Sequence, residues 1–216
     1  MAGVANAASF AQGPLAPGTI VSIFGKGLAR NTVSATSVPL PLTLDGTSVT
    51  VGDQSLPLFF VSSGQVNAQL PFQVQNGSAL LTVRNAAGSA AALPITIAAA
   101  SPAIFTTTSD GKGPAISVHA DFRLVEKLTG ENATIDETIV LFCTGFGSVD
   151  NFNTAGAPGP SSPLANTTQK TGVLMDGRPA QVSFSGLAPG FAGVYQVNFI
   201  VPRGVGGDVT TTVRVC

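Results

Sequence analysis

The chain has 216 residues, of which 44% are hydrophobic and only 10% charged, with a net charge of −1; an ordinary soluble domain carries about 25% charged residues. No basic run offers a footprint for nucleic acid, and no Lys/Arg-faced segment suits a membrane surface. The longest apolar stretch, residues 90–105, is interrupted by Pro94 and Pro102 and is too short to span a bilayer.

With 25 Gly and 15 Pro among many Val and Thr, the chain reads as short strands joined by frequent turns. Strand signals come at 19–24, 48–51, 56–61, 65–70, 79–84 and 93–97, each bounded by Gly, Pro, Asn or Asp. Leu81 and Val83 alternate with Leu80, Thr82 and Arg84, and Val66, Ala68 and Leu70 share one face, the period of half-buried strands. Residues 98–102 close this unit. A second opens at 104–108, turns at 109–113 and gives a hairpin signal over 116–125. Strand signals then follow at 138–143, 172–175, 180–184, 194–201 and 209–215. The intervening 146–171, rich in Pro, Gly, Ser, Asn and Thr, lacks a core pattern and is expected to be a surface loop.

The chain repeats itself. Gln65-Val66-Asn67-Ala68-Gln69-Leu70-Pro71 returns as Gln196-Val197-Asn198-Phe199-Ile200-Val201-Pro202, Val21-Ser22-Ile23-Phe24 as Ile139-Val140-Leu141-Phe142, and Thr82-Val83-Arg84 as Thr212-Val213-Arg214. A duplicated unit of about 100 residues with drifting loop lengths predicts two tandem domains, 1–100 and 101–216. The second carries an extra N-terminal hairpin and the long loop 146–171. About seven short strands per unit is the pattern of an immunoglobulin-like β-sandwich, so the fold class is all-β. The strand at 93–97 has no counterpart before Cys216. The second sandwich is therefore expected to lack its last strand, most simply by truncation, leaving an edge open to strand addition.

The strings Asn6-Ala7-Ala8-Ser9-Phe10, Leu15-Ala16-Pro17-Gly18-Thr19-Ile20-Val21-Ser22-Ile23-Phe24-Gly25, Gln65-Val66-Asn67-Ala68-Gln69-Leu70-Pro71 and Gly186-Leu187-Ala188-Pro189-Gly190-Phe191-Ala192-Gly193-Val194-Tyr195-Gln196-Val197-Asn198 resemble one family across nearly the whole chain. It is the C-terminal domain family of secreted Solibacter-type Acidobacteria proteins. Each half also resembles an IPT/TIG-type immunoglobulin-like domain. The resemblance implies export, a place at the end of a larger extracellular protein with neighbouring domains as partners, and no catalytic activity or cofactor. It supplies no functional residues.

Candidate chemistry is sparse. The one histidine, His119, has no Gly-x-Ser-x-Gly elbow to serve, and one His with two separated Cys cannot build a Zn site of ordinary spacing. Glu131, Asp136 and Glu137 read as a solvated cluster around a turn. The Asp-Gly pairs at Asp45, Asp110 and Asp176 read as turns rather than Ca²⁺ loops. Cys143 and Cys216 fall on strands that are bridged in many immunoglobulin domains, so a disulfide is open to them in an exported chain. Residue parity disagrees in part, with Cys143 facing inward alongside Ile139 and Leu141, and Cys216 facing outward alongside Arg214. With no Trp and one Tyr, the exposed contact candidates are Phe152 and Phe191, both in loop-like segments. The expectation is a non-enzymatic structural, adhesive or spacer module. The alternative is a binding module that takes a polysaccharide or a cell-surface protein through loops of the second domain.

Overall fold

A computed structural model describes residues 2–85, 87–89, 92–126 and 128–215. Among them there is no helix, and the fold is an all-β immunoglobulin-like sandwich architecture. The first half contains β1 (Gly3–Asn6), β2 (Ile20–Phe24), β3 (Val33–Ser34), β4 (Thr43–Leu44), β5 (Thr47–Val51), β6 (Gln54–Ser55), β7 (Leu58–Val61), β8 (Gln65–Gln69), β9 (Gly77–Asn85), β10 (Gly88–Ser89) and β11 (Leu93–Ile97). One sheet runs β1-β2-β8-β7-β3. The other runs β10-β9-β5-β4, with β11 on β9 and β6 on β5. Between them lies a core that includes Val21, Ile23, Leu58, Val66, Leu81 and Ile97.

The second half contains β12 (Ala103–Ile104), β13 (Ser117–His119), β14 (Thr138–Thr144), β15 (Thr171–Met175), β16 (Arg178–Leu187), β17 (Tyr195–Ile200) and β18 (Thr211–Val215). They pair in the order β12-β14-β17-β16-β15-β18, with β13 also on β14. The long β16 pairs with β15 through its first residues and with β17 through the rest, which carries it from one layer to the other. In the first half the same path is divided between β6 and β7 by Leu56-Pro57.

The repeat holds register by register. Ile23 faces Val66 as Leu141 faces Val197, and Ser22 faces Asn67 as Val140 faces Asn198. Val49 faces Val83 as Val173 faces Val213. A bulge between Leu58 and Phe60 returns between Val182 and Phe184. Leu70 N donates to Thr19 O at 2.9 Å, and Val201 N to Glu137 O at 2.9 Å. The turns after β1 and β13 each hold a phenylalanine at positive φ, but Phe10 N closes on Asn6 O, four residues back, and Phe122 N on His119 O, three residues back. The sequence signals missed the two-residue strands β3, β4, β6 and β10 and also β1, whose Gly3-Val4-Ala5-Asn6 carries little β propensity and is fixed by its ladder to β2.

The two halves meet in a buried, hydrogen-bonded junction. Phe72, from the first half, belongs to the core cluster of the second. Tyr195 is fully buried, stacks on Phe146 with ring centroids 5.4 Å apart, and donates its hydroxyl to Gly147 O. Thr144 Oγ1 accepts from Ile20 N and donates to Gly193 O, both at 3.0 Å. Buried Gln69 donates from Nε2 to Gly18 O at 3.3 Å and accepts Gly156 N on Oε1 at 2.7 Å. Gly18, at φ +76°, is obligatory here, because a Cβ would lie 2.4 Å from the Tyr195 hydroxyl and 2.5 Å from the Phe72 ring.

The 146–171 segment corrects the surface-loop expectation. Phe146 and Ala165 are fully buried in the second half's core, while Gly156 O accepts from Leu40 N at 2.8 Å and Gly156 N donates to Gln69 Oε1 at 2.7 Å, so the segment is anchored on both halves. Its loop-like composition reflects irregular backbone, while its burial comes from the partner surface it fills.

Candidate functional site

The most distinctive concavity follows from the one strand that the repeat does not copy. In the first half β11 lies antiparallel on β9, with Leu93 opposite Leu81, Ile95 opposite Ala79 and Ile97 opposite Gly77. Ile95 and Ile97 are buried, and Leu93 packs on the same core. On its other edge β11 is held by Leu15, whose N–H donates to Thr96 O at 2.9 Å and whose carbonyl accepts Ala98 N at 2.7 Å. A single strand thus closes the gap between the two sheets.

The corresponding place in the second half is open. A groove of about 1120 Å³ is lined by Ala133, Val209 and Thr211, the counterparts of Leu15, Ala79 and Leu81, and reaches the core residues Ile139, Met175 and Phe199. Exposed apolar side chains stand around it: Leu128 is 93% accessible, and Ile135 and Leu124 are also exposed. An adjoining cleft of about 470 Å³ continues along Val209–Val213 toward Ala103 and Ile104. A soluble surface seldom leaves a core-lined gap rimmed by large apolar side chains without a partner for it.

The contact candidates separate. Phe152 is half-buried and packs edge-on against Phe72, with centroids 6.0 Å apart, so it contributes to the junction. Phe191 is 58% accessible, in a loop held to Gly159 by paired backbone hydrogen bonds. Cys143 is a buried free thiol on β14, facing inward as its parity requires, and burial pushes its pKa up. Cys216 lies outside the described residues.

The acidic residues read as one solvated cluster are divided among separate partners. Glu131 pairs with Arg123, Asp136 with Arg203 at 2.8 Å, and Glu137 with His119 Nδ1 at 2.5 Å. His119 ends β13 instead of standing in the turn, and its buried Nε2 has no hydrogen-bond partner. The hydrogen bond donated to Glu137, with the carboxylate's charge, raises the His119 pKa against the opposing effect of burial. Burial pulls Glu137 upward, but hydrogen bonds from His119 and Thr134 outweigh it and leave its pKa lowered. Among the described residues no group of three or more His, Cys, Asp and Glu could hold a metal ion. Asp45-Gly46 and Asp176-Gly177 sit at positive φ as hairpin turns. Sequence reading had anticipated the open edge but not the apolar rim, because Leu128 and Ile135 fall in segments without strand periodicity.

A comparison by family model matches residues 6–97 to the IPT/TIG domain. The open groove lies beyond the matched residues, in the half that repeats their strand pairing. No curated protein sequence matches the chain. Among solved structures, the Bacteroides ovatus mixed-linkage glucan utilization locus protein SGBP-B, in complex with a mixed-linkage heptasaccharide, aligns at 12% identity and a TM-score of 0.36. That alignment covers 94% of this chain and 37% of the other, so the chain spans well under half the length of that protein. No helix of the described residues is long and apolar enough to cross a membrane.

Proposed function

We propose that the chain is a non-catalytic, extracellular spacer or adhesive module from the C-terminal part of a larger exported protein, built of two domains, 1–100 and 101–216. The observation that supports this is the junction. Phe72, Tyr195, Thr144 and Gln69 tie the halves through buried aromatic packing and hydrogen bonds that span them, and a module that holds its neighbours at a fixed separation needs such a rigid joint. Relative domain motion is the default unless the contact is large and apolar. Small-angle scattering together with calorimetry tests the reading: one cooperative unfolding transition and a scattering profile that fits a single rigid particle are expected. Two separated transitions, or a profile requiring an ensemble of interdomain angles, would sink it.

A second reading, a binding module for a polysaccharide or a protein partner, is favoured by Phe191, exposed on a backbone-pinned loop. Saturable binding to a panel of polysaccharides and bacterial cell-surface fractions, abolished by Phe191→Ala without loss of melting temperature, would establish it.

A further inference from the structure

We propose that each half carries a binding site for an uncharged polysaccharide on the outward face of its β2-β8-β7 or β14-β17-β16 layer. The sites are centred on Gln65 and Asn67 in the first half and on Gln196 and Asn198 in the second. Ladder register puts the same four side chains on each face. Phe24 lies opposite Gln65 and Phe60 opposite Asn67, as Phe142 lies opposite Gln196 and Phe184 opposite Asn198. Val66 and Val197, between the amides, belong to their cores, so the Gln, Asn and Phe side chains point away from those cores. All eight are partly exposed to solvent, and none is charged. A neighbouring outward position has drifted: Ser22, opposite Asn67, is replaced by Val140 opposite Asn198. What both halves retain is an amide pair with an aromatic ring on either side, on strands two spacings, or about 10 Å, apart.

The amide pair does not serve strand pairing. Gln65 Nε2 donates to Asn67 Oδ1 at 2.8 Å, and Gln196 Nε2 donates to Asn198 Oδ1 at 2.8 Å, each bond joining residues two apart on one strand. Such a bond ties no two strands together; it fixes the orientation of both amides. Each pair leaves one acceptor, the Gln Oε1, and one donor, the Asn Nδ2, without a protein partner among the described residues, and neither atom is buried. An adjacent donor and acceptor suit neighbouring sugar hydroxyls, which accept and donate in turn. The flanking rings offer apolar contact to the C–H surface of the sugar, the combination of aromatic area with a few placed polar groups that small-molecule sites use. With no charged side chain in either set, a charged polymer would lose solvation without gaining a counter-charge. Two copies of one recognition pattern fit a ligand that itself repeats, whereas a folded protein partner would offer the two halves different surfaces. These faces are separate from the Phe191 loop, and a rigid spacer can carry them, so the inference depends on neither earlier reading.

The test titrates the intact chain, by calorimetry, with linear pentasaccharides of glucose, mannose, xylose and galactose, and with an oligogalacturonate as the charged control. Saturable binding of at least one neutral pentasaccharide is expected, with two molecules per chain, and the charged control should bind at least about tenfold more weakly. Asn67→Ala and Asn198→Ala each remove the free donor from one face. Each should weaken one of the two sites by about tenfold, so that a single tight site remains, and the double variant should retain none. Phe60→Leu and Phe184→Leu keep apolar bulk but lose the ring, and they report on the same two faces should an amide variant melt early. No binding of any neutral pentasaccharide would overturn the proposal, and so would equal binding of the charged control, which would mark unspecific adhesion. A stoichiometry of one in the unaltered chain would overturn a site built twice. Binding that survives all four variants and is lost in Phe191→Ala would overturn it in favour of the loop.

Discussion

The two halves share a pairing register and differ at both ends, and each difference concerns what covers an apolar surface. At one end the first half presents Gly18 and Phe72 to the second half, buried under Tyr195. The same positions in the second half are Asp136 and Arg203, an exposed ion pair at 2.8 Å. A duplicated unit thus meets its neighbour with a glycine and an aromatic ring, and meets solvent with opposite charges. The second difference is β11, which seals the first sandwich and has no counterpart among the described residues of the second, where the rim is apolar.

The sharpest break of this comparison is steric. Gly18→Val should destabilise the protein by about 4 kcal/mol or more. A β-branched side chain is strained at positive φ, and its Cβ lies inside contact distance of both Tyr195 and Phe72. The equivalent change in the second half, Asp136→Val, meets no such wall and should shift the melting temperature far less, although its φ of 66° is also positive. Thermal unfolding of the two variants reads the contrast directly. If they suffer equally, the junction is not what makes Gly18 special.

A smaller effect is expected from Phe72→Ala, about 3 kcal/mol, because a nearly buried ring leaves the second core. Calorimetry should also show the single transition broadening or splitting as the halves uncouple. Arg203→Ala, at the repeat-equivalent position, should leave the transition single, since both partners of its ion pair are exposed. Below these comes Gln69→Leu, close in shape but without hydrogen bonds. It strands Gly156 N–H and Gly18 C=O in a dry interface and should cost about 2 kcal/mol. A cost near zero would mean that water reaches the junction and replaces Gln69.

Most of the architecture was legible in the residues because strand periodicity and turn chemistry are local. The 93–97 segment matches β11 residue for residue, and the inward parity of Cys143 is met by its full burial. The absent strand of the second half could be read because a repeat supplies its own template. The junction could not. Gln69 and Tyr195 look like ordinary strand residues, and nothing local marks Gly18 as lying beneath a ring contributed by a distant segment. Long-range contact also explains why 146–171, composed like solvent-exposed loop, is packed against the first half through Gly156 and Phe152. Phe152 and Phe191 had equal claims as loop aromatics; only tertiary packing sends one to the junction and leaves the other in solvent.

The finest distinction between the halves is a single equivalent pair, Asn6 and His119. Both are buried at the end of the strand that pairs with the innermost one, and both precede a turn with a phenylalanine at positive φ. Asn6 satisfies its amide with Ala8 N at 2.9 Å and Ser101 O at 3.3 Å, and it does not titrate. His119 instead bonds Glu137, which makes the second half sensitive to pH where the first is not. The His119 pKa is raised in the fold, so its contribution is fully present below the unfolded value of about 6.5 and is lost as pH rises through the folded value. The Glu137 pKa is lowered, so its contribution is present above the unfolded value of about 4.3 and is lost as pH falls through the folded one. The pair should therefore stabilise most between about pH 4.5 and 6.5, with a decline on the alkaline side belonging to His119. His119→Asn, which restores the first half's residue, should cost about 1–2 kcal/mol at pH 5.5 through loss of a charge-assisted bond, and less at pH 8.5. Melting curves of the two proteins across that range should converge toward alkaline pH. A constant gap would show that the hydrogen bond contributes equally with a neutral ring, and that the His119 proton is not what holds Glu137.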